Sequence, residues 1–189
     1  MLQKQANPPC SIALKWKGLC SLLHCLQTLP RICGIAFIFC WYAATATAAP
    51  DFPMLTGRVV DEAKILSAAV ETEISASLAA HEQTSGHQVV LVTLKSLRDY
   101  EIRDYGIQLG RHWGIGQEGK NDGVLLIVAP NQREMRIAVG YGLEDRLTDA
   151  ISRDIIERTL KPPFRQENYD QGVRDGIVAI LPKCGQNRN

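Results

Sequence analysis

The chain has 189 residues, with 21 basic and 20 acidic side chains and a formal net charge of +1. That is the length of one ordinary domain with a remainder. Near-neutral charge, with no basic run interleaved with aromatics, excludes the electrostatic footprint of a nucleic-acid binder.

The remainder is the first 49 residues. They hold five of the six cysteines (Cys10, Cys20, Cys25, Cys33, Cys40), no aspartate or glutamate, and only Lys4, Lys15, Lys17 and Arg31 as charges. From Ile32 the chain reads ICGIAFIFCWYAA, thirteen uncharged residues, then TATAAP. A basic stretch, a short apolar core and small residues at Ala46, Thr47 and Ala48 are the three parts of an export signal. Residues 1–48 are therefore expected to be an export signal cleaved near Ala48, or else an N-terminal membrane anchor through residues 32–49; an apolar helix within the fold is a third reading. The expected location is extracytoplasmic: periplasmic or secreted after cleavage, membrane-anchored without it. Residues 49–189 carry 17 basic and 20 acidic side chains, so the mature part is net acidic by three charges. It keeps only Cys184, which excludes an internal disulfide framework and reads as a free thiol in a loose tail.

In chain order, PDFPMLTGRVV (50–60) is an extended lead-in broken by Pro50, Pro53 and Gly57. Leu66, Val70, Ile74 and Leu78 then recur every fourth residue, predicting a helix that ends at Gly86. Asp61 is a candidate cap for its first turn, or Ser67 for a second helix after a short one. HQVVLVTL (87–94) predicts a strand buried on both faces. Residues 99–113 predict a second helix, in which Gly106 and Gly110 allow close packing. GIGQEGKNDG (114–123) is an irregular loop, GVLLIVA (123–129) a second apolar strand, and EMRIAVG a half-buried one joined to it as a hairpin. A helix over 150–160, capped by Thr148 or Asp149 and ended by Pro162-Pro163, and a last helix over 169–181 complete the pattern. Strands that are apolar throughout need a layer on each side. The expected fold class is thus α/β, a single three-layer α/β/α sandwich with a small mixed β-sheet over residues 50–181, followed by a disordered tail at 182–189.

The sequence lacks a phosphate loop, HExxH, CxxC and a GxSxG elbow in this domain. GIGQEG precedes a strand instead of opening a helix, so it fails as a dinucleotide fingerprint. His81, His87 and His112 share no zinc-ligand spacing and read as surface or capping residues. The carboxylates are more informative. A hairpin brings the residue before its first strand and those after its second to one end, so Asp122 is expected near Glu144, Asp145 and Asp149. Such crowding is relieved by a cation, and Gly123, Gly140 and Gly142 could expose carbonyls as further oxygen ligands for Ca²⁺ or Mg²⁺. Asp149 as a cap, Asp122 as a turn residue and Glu144 as a solvated side chain form the alternative. Arg58, Lys120 or Arg146 could hold phosphate beside a metal, but no residue presents itself as a nucleophile.

At these loops the sequence resembles the TPM-domain family, which includes bacterial YgcG-like proteins and plant thylakoid-lumen proteins linked to photosystem II repair. The resembling stretches are FPMLTGRVVDEAKILS (52–67), TSGHQVVLVTLKSL (84–97), residues 105–150 from YGIQLGRHWGIGQEGKNDG to GYGLEDRLTDA, and IIERTLKPPFRQENYDQGVRDGIVAI (155–180). The resemblance implies an α/β/α sandwich on the outer side of a membrane or in a lumen. It implies a Ca²⁺ or Mg²⁺ site at Asp122 of NDG, Glu144 of GYGLE and Asp149 of LTDA, with Asp61 of VVDEA a weaker member. It further implies a binding or assembly module for membrane-protein or envelope complexes. The family's phosphatase label makes metal-dependent phosphomonoester hydrolysis the alternative.

Overall fold

The chain divides into two units, residues 1–49 and 50–189. The computed structural model describes residues 51–185, so the expected signal or anchor and the last four residues lie outside the described part.

Four strands form one mixed sheet in the order β1-β2-β3-β4: β1 (Val59–Asp61), β2 (Val89–Thr93), β3 (Val124–Ala129) and β4 (Glu134–Val139). The first three are parallel, with Val59 opposite Leu91 and Val89 opposite Val124; β3 and β4 are an antiparallel hairpin with Val124 opposite Val139. β2 and β3 are buried along their whole length, as their apolar runs require. β1 is a finding beyond the sequence reading, which left it in the extended lead-in; three residues are too few to show a period.

The sheet separates two apolar layers. On one face Leu91, Leu126 and Ile137 pack beneath α1 (Ala68–Ser85) and the C-terminal helix; on the other, Val90, Leu125 and Ile127 pack beneath α2 (Ile102–Trp113). α1 buries Val70, Ile74 and Leu78 and stops at Gly86, whose φ of 76° is left-handed. Its N-cap is Ser67, the second of the two expected candidates. α2 lies tightly on the sheet at Gly106, where a Cβ would stand 2.6 Å from Ile127 Cδ1; Gly110 has open space instead. The lead-in docks on this side, with Phe52 against Tyr105 and the Trp113 indole N–H donating to Pro53 O. The alternation of helices and strands thus yields the expected α/β/α sandwich.

The C-terminal layer departs from expectation in two respects. α3 (Asp149–Ile155), capped by the Thr148 hydroxyl, runs into a π-helical turn (Ile156–Leu160) and then α4 (Lys161–Arg165). Pro162 and Pro163 do not end the run, because they fall in the first turn of α4, where an N–H is not needed. α5 (Tyr169–Gly185) packs against this layer through Gly172 and Gly176, where a Cβ would lie 2.6 Å from Phe164 and 2.4 Å from Leu160. α5 also continues past the expected end at 181, so Cys184 is fully buried in a helix and not free in a tail.

Among the described residues no helix is long and apolar enough to cross a membrane, so the expected membrane character finds no support there; the expected anchor at residues 32–49 lies outside them. Burial pushes the Cys184 thiol up to about 12, against a smaller opposing effect of Arg146. It is therefore protonated and unreactive at neutral pH. Alkylation at pH 8 followed by residue-level mass spectrometry is expected to label Cys184 at least tenfold more slowly in the native protein than in urea; equal rates would contradict its burial.

Candidate functional site

The loop between α2 and β3 and the turn after β4 meet at one end of the sheet, as the hairpin argument required. They meet through main chain. Gly140 N–H donates to Gly123 O at 2.8 Å, and Gly142 N–H to Asn121 O at 3.0 Å. A Cβ on Gly140 would stand 2.0 Å from Asn121 O, and one on Gly142 2.3 Å from Lys120 O. These glycines are needed because backbone crosses backbone. The carbonyls of Asn121 and Gly123 are engaged in those bonds and not displayed as ligands.

The four expected metal residues do not converge. Asp122 is 3% exposed. Its Oδ1 accepts from Gln117 N–H at 2.7 Å, and its Oδ2 accepts from His87 Nδ1 at 3.1 Å. Glu144 and Asp149 are exposed and line a cleft that Asp122 does not reach. Asp61 ends β1, where its carboxylate takes the Thr93 hydroxyl and the N–H groups of Ile65 and Leu66. Through the register Asp61 lies level with Thr93 and Val128, six residues along the strand from Asp122, or about 20 Å at 3.3 Å per residue. Among the described residues no group of three or more His, Cys, Asp or Glu side chains is placed to hold a metal ion. The expectation of a Ca²⁺ or Mg²⁺ site at Asp122, Glu144, Asp149 and Asp61 is thus overturned. The physical reason is that each carboxylate has another occupation: two complete local hydrogen-bond knots and two face solvent.

His87 reads as a surface or capping residue in the sequence, yet it is the partner of the one buried carboxylate among the described residues. A signal for this existed. Val89 pairs with Val124 in parallel register, so His87 and Asp122, each two residues earlier, fall opposite one another on the same face. Burial alone would raise the Asp122 pKa, but the Gln117 N–H and His87 outweigh it and the carboxyl sits below its ordinary value. His81 on α1 is held below its ordinary value by burial and then by the charge of His87.

The cleft itself has a volume of about 840 Å³ and spans α2 to the start of α3 across β4. Arg103 and Ile107 of α2 form one wall, Tyr141 and Asp149 the other, and Arg136 and Ala138 of β4 the floor. A second cleft of about 360 Å³ continues it along Glu134–Ile137, between Ile102 and Ser152, Arg153 and Ile156. Sequence reasoning missed this trough because its wall and floor residues read as the exposed faces of unrelated elements. Arg58, expected to hold phosphate, instead pairs with Glu82 at 2.7 Å.

The model of the TPM domain, named for a TPM phosphatase, matches residues 59–182. The chain belongs to the TPM-domain family. The TPM domain is similar to the solved N-terminal domain of a protein from P. gingivalis, at 35% identity and a TM-score of 0.63, over 71% of this chain and 89% of that one. It shares its fold with the N-terminal domain of the cg2496 protein from Corynebacterium glutamicum (17% identity, TM-score 0.54, 75% of this chain and 89% of that one). The same holds for the BA42 protein from Bizionia argentinensis (20% identity, TM-score 0.54, 63% and 81%). A search of the curated proteins finds no match.

The site's architecture makes two expectations for this TPM domain. Asp122→Ala leaves the Gln117 N–H and His87 Nδ1, both in part-buried hydrogen bonds, without their acceptor, at a combined cost of about 1–3 kcal/mol. Because the folded pKa of Asp122 is lowered, its contribution is fully present above the ordinary carboxylate range and is lost as pH falls through the lower folded value. Urea midpoints of the wild type and Asp122→Ala should therefore be well separated at pH 7 and converge as pH falls through the lowered value of Asp122. Gly140→Ala should cost about 1–3 kcal/mol through overpacking against Asn121 O; an unchanged midpoint would refute the backbone crossing.

Proposed function

We propose that this TPM domain is a binding module working outside the cytoplasm, brought there by residues 1–49, and that it engages membrane-protein or envelope complexes through the β4 cleft. The carrying observation is the character of that cleft. Its floor is main chain and an arginine, and Tyr141 at its rim is 76% exposed. Its walls carry charged side chains without ion-pair partners among the described residues. Exposed aromatic and arginine groups around a concave surface are features that anchor protein partners. Neither Asp122 nor His87 lines the cleft, and Cys184 is held protonated, so none of them supplies a nucleophile to it. The charged N-terminal flank, apolar core and Ala46-Thr47-Ala48 of the leading segment support export.

One observation favours a second reading. Arg103, Arg111 and Arg136 line the same cleft, and guanidinium groups match phosphate oxygens. Hydrolysis of a phosphomonoester is therefore the competing activity. Two measurements on the full chain decide between them. A photoreactive residue at Ile107 in the cleft is expected to give adducts in the envelope fraction of producing cells that the same residue at Val178, on the outer face of α5, does not give. Purified protein is expected to hydrolyse p-nitrophenyl phosphate no faster than a mock preparation. Turnover that falls at least tenfold in Arg136→Ala, with no cleft-specific adducts, would overturn the binding reading in favour of hydrolysis. Retention of the chain in the cytoplasm would overturn the proposed location.

A further inference from the structure

β4 is the last strand of the sheet, and the phase of its ladder shows which of its main-chain groups are unused. Gly140 N–H donates to Gly123 O, so residues 123 and 140 form a hydrogen-bonded pair. In that register the pairs 125–138, 127–136 and 129–134 share the phase. The opposite face of β3 agrees: Val124 N–H donates to Gln88 O, and Val128 O accepts from Leu94 N–H, both towards β2. Met135, Ile137 and Val139 therefore aim their N–H and C=O groups away from β3, and among the described residues these groups have no hydrogen-bond partner. Such an edge is a template for another strand.

The edge lies in a trough. Both clefts run from α2 on one side to α3 on the other, the smaller reaching the π-helical turn, with β4 between, and both are lined by Arg103, Arg136 and Asp149. A trough walled by helices accepts a lone strand more readily than a second sheet bearing helices on both faces. Self-pairing is also opposed by charge. Antiparallel pairing of two β4 strands centred on Arg136 sets two guanidiniums directly opposite, and centring on Ile137 sets them diagonally. Other registers shorten the overlap or draw in the turn at 130–133.

The two faces of the trough ask for different side chains. On the α2 side stand Arg103, Arg111 and Arg136, none of them ion-paired among the described residues, and Arg136 Nε is buried without a hydrogen-bond partner. On the α3 side part-buried Met135 and Ile156 lie with buried Ile137 in an apolar strip, flanked by Asp149, Ser152, Arg153 and Glu157. Alternate residues of an added strand would meet these two walls in turn. The geometry points to β4 as the acceptor edge for an extended peptide with acidic and aliphatic residues in alternation, bound as a fifth strand. This rests on the binding-module reading and names the chemistry of its partner.

Hydrogen exchange on the full chain tests it, with an acetylated seven-residue peptide alternating Asp and Val as the probe. Saturating peptide is expected to slow exchange at the Met135, Ile137 and Val139 amides at least tenfold, with Arg136 and Ala138 already protected before addition. A peptide with Lys in place of Asp should give no protection, and Arg136→Glu should weaken the acidic peptide at least tenfold. N-methylation at one alternate set of peptide residues should abolish binding, while methylation of the other set should leave it. Unchanged exchange at the three amides, equal protection by the Lys peptide, or binding indifferent to N-methylation would each overturn strand addition. Protection that rises with protein concentration alone would overturn it in favour of a second copy. Cleft-specific adducts from Ile107 without amide protection would sink this inference and leave the binding module standing.

Discussion

Burial of β2 and β3 on both faces is the constraint from which the architecture follows. Val89, Val90, Leu91 and Val92 are fully buried, as are Val124 and Leu126 through Ala129. Each such aliphatic side chain contributes about 1.5–3 kcal/mol on leaving water. No single-sided cover can collect that from alternate residues pointing in opposite directions. Helices are therefore required above and below, and the chain supplies them in order: α1 and the C-terminal run on one face, α2 on the other. The charged residues Glu134 and Arg136 stand on β4, the edge strand, whose residues other than Ile137 are partly buried or exposed.

The acidic cluster inferred from chain order is real at the level of loops and dissolves at the level of atoms. The hairpin does bring the segments carrying Asp122 and Glu144 together, but glycine-mediated crossing of their backbones consumes the space and the carbonyls a cation would use. Asp122 then finds two donors of its own. A carboxylate held by a backbone N–H and an imidazole is comfortable when buried, and its lowered pKa expresses that comfort. Electrostatic crowding was the premise of the cation argument, and hydrogen bonding removes it.

What the sequence disclosed, and what it withheld, divides by range. The four-residue recurrence of Val70, Ile74 and Leu78, the β-branched run at 89–93 and the Pro130–Arg133 turn are local, and each lies where reading placed it. The layers follow from composition alone. β1 is hidden because three residues carry no period, and α4 is hidden because Pro162-Pro163 reads as a helix end but stands in a first turn. The pairing of His87 with Asp122 spans 35 residues and needs the parallel register of β2 and β3 before it can be seen. The trough is less legible still, since Arg103, Arg136 and Arg153 come from three elements whose relative placement no local pattern encodes.

Edge strands usually carry some defence against indiscriminate pairing, and the two edges of this sheet differ in kind. β1 is three residues long, too short to template much. β4 is twice that length and bears an arginine pointing to one wall. A charge on an edge strand repels a cationic neighbour and costs an apolar one its desolvation, so it acts as a filter on what can pair there. In β4 the filter sits beside three outward-facing main-chain positions and a buried guanidinium nitrogen lacking an acceptor. The guanidinium sets the direction of the preference: a carboxylate beside Arg136 gains a charge-assisted hydrogen bond, while its backbone completes the ladder. Affinity from the main chain and discrimination from one side chain are then separate properties of the same six residues.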